Sequence, residues 1–211
     1  MRQQERQARS RQMILQAAME EFGTQNYDSV NMERICGGHG ISKGMMYHYY
    51  ANKDALFLAC VSEVFQALYQ FLLENWRSLL DFPVFGAVKG YFLLREQFFQ
   101  SRPWEKRIFE NAMLYPPAHL TEQIQELRTP IREENDRFMR EMLSRVKLRP
   151  GVDAEQAVRY LNSAYALFWL FLEQYQAHTK DLHAMLKGSE ELLDMVLFGI
   201  AEQCAAEHQD V

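Results

Sequence analysis

The 211 residues are 48% hydrophobic and 24% charged, the balance of an ordinary water-soluble globular chain. No run approaches the roughly 18 uncharged apolar residues of a membrane span, and the basic start MRQQERQARSR leads into an amphipathic run, so neither a spanning segment nor a secretory signal is expected. Cys36, Cys60 and Cys204 fit no zinc spacing and no disulfide framework, which points to a reducing, cytoplasmic compartment.

The net charge of −5 is unevenly spread. Residues 1–53 carry seven Lys/Arg against five Asp/Glu, with four arginines among the first eleven residues, and residues 54–211 carry sixteen against twenty-three. A basic head can meet phosphates while an acidic remainder stays off them.

Apolar residues recur at helical spacing, with no sustained alternation bounded by turns, so an all-α fold of about nine helices is expected. Met13, Ile14, Ala17, Ala18 and Phe22 mark a first helix that Gly23 should stop. Asn26 and Asp28 suit a turn, and Asn31 is a cap for a brief helix carrying Met32 and Ile35. Gly37, Gly38 and Gly40 crowd four residues, which a continuing helix tolerates poorly. Ser42 can cap a short helix through SKGMMYHYY, and Asn52 a long one over about 52–79. A helix after Pro83 runs to about 100, Pro103 and Pro116-Pro117 bracket a shorter one, and a mixed-charge helix spans about 119–146, bent or interrupted at Pro130. Pro150-Gly151 is a turn, Asp153 caps a helix to about 178, and a last helix lies near 189–207.

The informative stretch is residues 31–54, NMERICGGHGISKGMMYHYYANKD. Two short helices joined by a glycine-containing turn make a helix-turn-helix, whose second helix enters the major groove. Gly40 suits the turn, and Ile35 and Ile41 would pack the two helices together. Asn31, Ser42 and Lys43 can meet phosphates, and Gly44 lets backbone approach backbone. Tyr47 and His48 offer a hydroxyl and an imidazole, Met45 a thioether for a thymine methyl, and Lys53 a charge at the start of the long helix. Met46 reads as core.

In order along the chain, Ile14-Leu15-x-Ala17-Ala18, Phe22-Gly23, Met32, Ile35, Gly40-Ile41-Ser42, Lys43-Gly44, Tyr47, Tyr50, Asn52-Lys53 and Leu56 resemble the DNA-binding region of the tetracycline-repressor (TetR) family. The likeness covers about residues 10–60. It departs from the family pattern at Asn31, over Cys36–His39 and at Met45-Met46. The resemblance implies a DNA-binding domain over 8–68 and a ligand-binding, dimerising domain over 69–211. It implies a homodimer built on the last two long helices, with Leu161, Ala164, Phe168, Leu193, Val196 and Ile200 as apolar rows. It also implies a cavity inside the bundle, for which Tyr91, Arg95, Phe98, Trp104, Phe109, Met113, Asn162, Tyr165 and Trp169 are the candidates. Double-stranded operator DNA and a small, largely apolar effector are the expected partners; no cofactor or membrane is expected.

Two other readings are weaker. No histidine has a Glu three residues before it, as a bundle di-iron site requires, and neither a GxxxxGK[ST] loop nor a GxSxG elbow occurs. No catalytic or metal-binding residue is therefore assigned. A helical protein-interaction module would leave the basic start and the reading helix without a role.

Overall fold

A computed structural model describes residues 3–164, 194–196 and 199–201. Among them the protein is helical, with no strand and one isolated antiparallel bridge between Leu148 and Ala201. The helices are α1 (Gln3–Thr24), α2 (Met32–Gly38), α3 (Lys43–Tyr49), α4 (Lys53–Asn75), α5 (Val84–Phe99), α6 (Pro103–Leu114) and α7 (Thr121–Leu143), followed by a helical stretch at 154–164. Asp153 begins that stretch as a reciprocal cap: its carboxylate accepts from Gln156 N (2.7 Å), and its own N–H donates to Gln156 Oε1 (3.1 Å).

The chain forms two compact units, the first running to Phe71 and taking in Glu96–Ile131, the second holding Leu72–Arg95 and the chain from Arg132 on. In the first unit the buried rows Ile14, Ala17, Ala18 and Phe22 of α1 meet Ile35, Ile41 and Met46 of the head and Leu56, Phe57, Cys60 and Val61 of α4. Phe22, Tyr27 and Phe57 pack ring on ring, with centroids 5.0–6.3 Å apart. Phe65, Phe99 and Phe109 extend this core. Over Lys53–Asp81 the chain is long and apolar enough to cross a membrane by length and composition alone. Its rows Leu56, Cys60 and Val64, and Phe57, Val61, Phe65 and Leu68, are buried while Glu63 and Gln66 face outward, as in a core helix.

Several boundaries differ from the sequence expectation. Gly23 does not stop α1, which runs on to Thr24. A Cβ at Gly23 would stand 2.4 Å from Trp104 Cβ and 2.6 Å from its Cα, so the missing side chain admits α6 to contact. Asn111 and Arg107 of α6 add hydrogen bonds to Gln25 O (3.4 Å) and Asn26 Oδ1 (2.8 Å). Gly37 and Gly38 lie inside α2, with open space where their side chains would be. α4 ends at Asn75 and passes into a 3-10 turn, Trp76–Asp81. α7 continues through Pro130 without interruption; Pro130 is exposed, so water can take the backbone bond it forfeits.

The second unit packs Trp76, Val88, Tyr91 and Phe92 with Phe138, Met139 and Met142 of α7 and Val158 and Leu161 beyond it. Arg140 closes the surface with a two-pronged pair to Glu155 (3.1 and 3.2 Å).

Candidate functional site

The head is assembled by short-range bonds. Asn31 Oδ1 accepts from Glu33 N (2.8 Å), Ser42 Oγ from Met45 N (3.1 Å) and Asn52 Oδ1 from Ala55 N (2.8 Å), so all three expected caps form. Gly40 takes φ +65°, the left-handed conformation expected of it, and Ile41 N then donates to Cys36 O (3.0 Å). Met46 is fully buried, as its place in the pattern implied.

This leaves one face of α3 uncovered. Ser42, Lys43, Gly44, Tyr47 and His48 are exposed and Met45 is half-buried. Nothing lies within 4 Å of where a Gly44 side chain would stand, so no internal packing requires that glycine. Two of the expected cations already have partners. Lys43 Nζ lies 2.5 Å from Glu33 Oε1 at the surface, a contact that raises the Lys43 pKa and lowers that of Glu33, by hydrogen bonding first and charge second. Lys53 Nζ donates to Tyr27 O (3.0 Å) and stands 4.2 Å from the centre of the Tyr27 ring. An ammonium has three donors, so this contact does not exhaust it.

Beside Lys53 is a cluster that sequence reasoning did not find. The Tyr27 hydroxyl donates to Asp54 Oδ1, and His119 Nε2 sits 3.2 Å from Asp54 Oδ2. Burial, then the bond to Asp54, pushes the Tyr27 pKa well up; the same bond leads in holding Asp54 below the usual carboxylate range. His119 lies in the turn Ala118–Leu120, and sequence reasoning gave it no role. Its partner is 65 residues away, and no local signal marks such a pair.

The interior candidates fall in both units. Phe98, Phe109, Met113 and Trp104 belong to the first. Trp104 does not face an interior: it stands against Gly23 at the α1–α6 contact and is 37% exposed. Tyr91, Arg95 and Asn162 belong to the second. Tyr91 Oη donates to Asn135 Oδ1 (2.7 Å), and its ring stacks on Phe138 with centroids 4.0 Å apart. Asn162 Nδ2 donates to Asp136 Oδ1 (2.6 Å). Sequence reasoning missed Glu134 and Asn135, both buried. Tyr165 and Trp169 lie outside the described residues.

Of the dimer candidates, Leu161 and Ile200 are already buried within the second unit and so present no outer face, while Ala164 and Val196 are half-buried. Tyr160 and Met195 are the exposed large hydrophobic residues beside them in sequence. Phe168 and Leu193 lie outside the described residues.

The model of bacterial regulatory proteins of the tetR family matches residues 14–60, and the tetracyclin repressor-like C-terminal domain matches residues 84–195. The HTH-type transcriptional regulator RutR of Escherichia coli (strain K12) is 27% identical over 106 residues, 48% of this chain and 46% of that protein, so the match spans about half the relative's length. A TetR family transcriptional regulator from Chloroflexus aurantiacus shares the fold at 21% identity and TM-score 0.59, covering 93% of this chain and 95% of its own. The transcriptional regulator FadR from Bacillus subtilis does so at 14% identity and TM-score 0.69, covering 90% and 98%. With one family model on the head and another over more than half of the chain, the protein belongs to the tetR family of bacterial regulatory proteins.

Proposed function

We propose that the chain is a cytoplasmic transcriptional repressor, not an enzyme, that binds a near-palindromic operator as a homodimer and is released by a small effector. The observation that carries this reading is the uncovered face of α3: a Ser42-capped helix start, Lys43, an open backbone at Gly44, and the exposed side chains of Tyr47 and His48. A helix start with free amides favours phosphate, and the side chains that follow suit base edges. Asn31, Met45 and Lys53 complete the proposed interface. Residues 8–68 would form the DNA-binding domain and residues 69–211 the effector-binding and dimerising one.

Two heads on a dimer would face successive major grooves about 34 Å apart. For the dimer contact, Ala164 and Val196 with their exposed neighbours Tyr160 and Met195 are better placed than Leu161 and Ile200. The Bacillus subtilis FadR structure holds stearoyl-CoA, and NalD of Pseudomonas aeruginosa is the secondary repressor of a multidrug efflux pump. The first supports an effector of substantial apolar surface. Within the second unit, Tyr91, Arg95 and Asn162 remain the proposed effector-facing residues. Release follows if effector favours a form of the dimer that no longer fits the operator.

Salt-dependent gel shift and footprinting on DNA from the chain's own promoter region test this. A protected near-palindrome bound by an even number of chains is the expected result. Equal affinity for all sequences at low salt would refute it.

A further inference from the structure

Lys53, at the start of α4, is seated on groups brought from elsewhere in the chain. Its Nζ donates to Tyr27 O (3.0 Å) and lies 4.2 Å from the centre of the Tyr27 ring. That ring is fixed from several sides. It stacks on Phe22 and meets Phe57 edge-on, with centroids 6.3 and 5.1 Å away, and the His119 ring meets it edge-on at 6.1 Å. The Tyr27 hydroxyl donates to Asp54 Oδ1, and His119 Nε2 lies 3.2 Å from Asp54 Oδ2. A carboxylate has no proton to give, so His119 Nε2 carries one and donates it. Both oxygens of Asp54 are thus engaged, while the ammonium one residue before it rests on the Tyr27 carbonyl and ring. Released from those two bonds, a carboxylate adjacent to Lys53 would compete with phosphate for its ammonium. Lys53 is also half-buried, so part of its rotamer freedom is already spent before DNA arrives.

We propose that His119 is a positioning residue for DNA binding: it holds Asp54, Asp54 holds the Tyr27 ring, and Tyr27 holds the Lys53 ammonium ready for a phosphate. This deepens the proposed function and rests on it. All four residues belong to the first compact unit. His119 nevertheless lies outside the family match over 14–60 and inside the match over 84–195, on the turn Ala118–Leu120. The phosphate site at the start of α4 is therefore completed by a side chain from beyond residues 8–68.

The test is a double-mutant cycle in the full-length protein, read by gel shift on operator and on random DNA at several salt concentrations. His119→Ala should weaken binding about fivefold on both DNAs and make the salt dependence shallower, as loss of one phosphate contact does. In a Lys53→Ala background the same change should shift affinity by less than about 1.5-fold, because the group it positions is gone. His119→Gln, whose side-chain amide can also donate to Asp54, should recover most of the affinity. The His119 side chain is 57% exposed, so His119→Ala should move the melting temperature by no more than about two degrees. Fivefold losses that simply add in the double variant would overturn the proposal, and they are also what a folding defect would give. So would unchanged binding by His119→Ala, or a Gln variant as weak as the Ala one. The parent protein separates the two levels. Equal affinity for operator and random DNA refutes the repressor reading, whereas operator preference with additive losses refutes only the role of His119.

Discussion

The head and the second unit handle polar groups in opposite ways. In the head the helix caps and the contact across the turn are exposed and local: Asn31 to Glu33, Ser42 to Met45, Asn52 to Ala55, and Lys43 to Glu33. In the second unit the decisive groups are buried, and Tyr91 reaches Asn135 across 44 residues. Exposed local bonds can be exchanged for DNA phosphates at small cost, because water already competes for them. Buried long-range bonds cannot be exchanged without a ligand that replaces them. The contrast suits a surface that must read DNA and an interior that must recognise one small molecule.

The sharpest test of how tightly each region is packed uses glycines in the first unit. Gly23→Ala should destabilise the protein by about 3 kcal/mol in chemical denaturation, because its Cβ meets both Cβ and Cα of Trp104 and α6 must back away. Gly37→Ala and Gly38→Ala should do the reverse, stabilising by about 1 kcal/mol each, since both sit in a helix with open space beyond them. A stabilising Gly23→Ala would mean that α1 and α6 are not in close contact.

In the second unit Tyr91→Phe should cost about 2 kcal/mol, by leaving the buried Asn135 amide oxygen without its donor. In the head Ser42→Ala should cost about 1 kcal/mol, the loss of one exposed cap. It should also weaken operator binding, which Tyr91→Phe should leave unchanged. If the two substitutions cost the same, the contrast between buried and exposed bonding fails.

Acid should expose the Tyr27–Asp54–His119 cluster. Asp54 has a lowered pKa in the fold, so the unfolded chain binds its proton first as pH falls. Its stabilising share is therefore present above the ordinary Asp value near 4 and lost below it. Tyr27 has a raised pKa, so its share is present below about pH 10 and lost above, where the unfolded phenol ionises first. The Asp54 side chain is about one-third exposed, at 36%, so solvent screening keeps the acid effect under about 1 kcal/mol. Asp54→Asn should flatten the acid limb of a stability–pH curve; an unchanged limb would show that the cluster contributes nothing.

What sequence could show follows the same divide. The caps Asn31, Ser42 and Asn52, the positive φ at Gly40 and the burial of Met46 are local consequences of residue type, and all were legible. Gly23 was misread because its role depends on Trp104, eighty-one residues on, and not on its neighbours. His119 was missed because its partner Asp54 lies 65 residues away, and Glu134 and Asn135 because polar residues in a mixed-charge helix look like surface until packing buries them. Leu161 and Ile200 were placed in an interface because periodicity marks a residue as apolar-facing without saying whether it faces its own chain or another.

The smallest effect bears on how the reading face is set. Glu33 holds Lys43 in the free protein and lies on the same surface, so DNA must either displace it or tolerate its charge. Glu33→Gln should leave stability unchanged, since both side chains are well exposed. Binding should tighten about threefold, to every sequence alike and more at low salt, because a like charge near phosphate is removed and Lys43 is released. Gel shifts on operator and on random DNA at two salt concentrations measure this. If binding instead weakens on the operator alone, Glu33 reads a base, and a carboxylate in that position would accept from a cytosine amino group. The pair with Lys43 would then orient a reading group, and the head would carry an acidic specificity residue within a basic face.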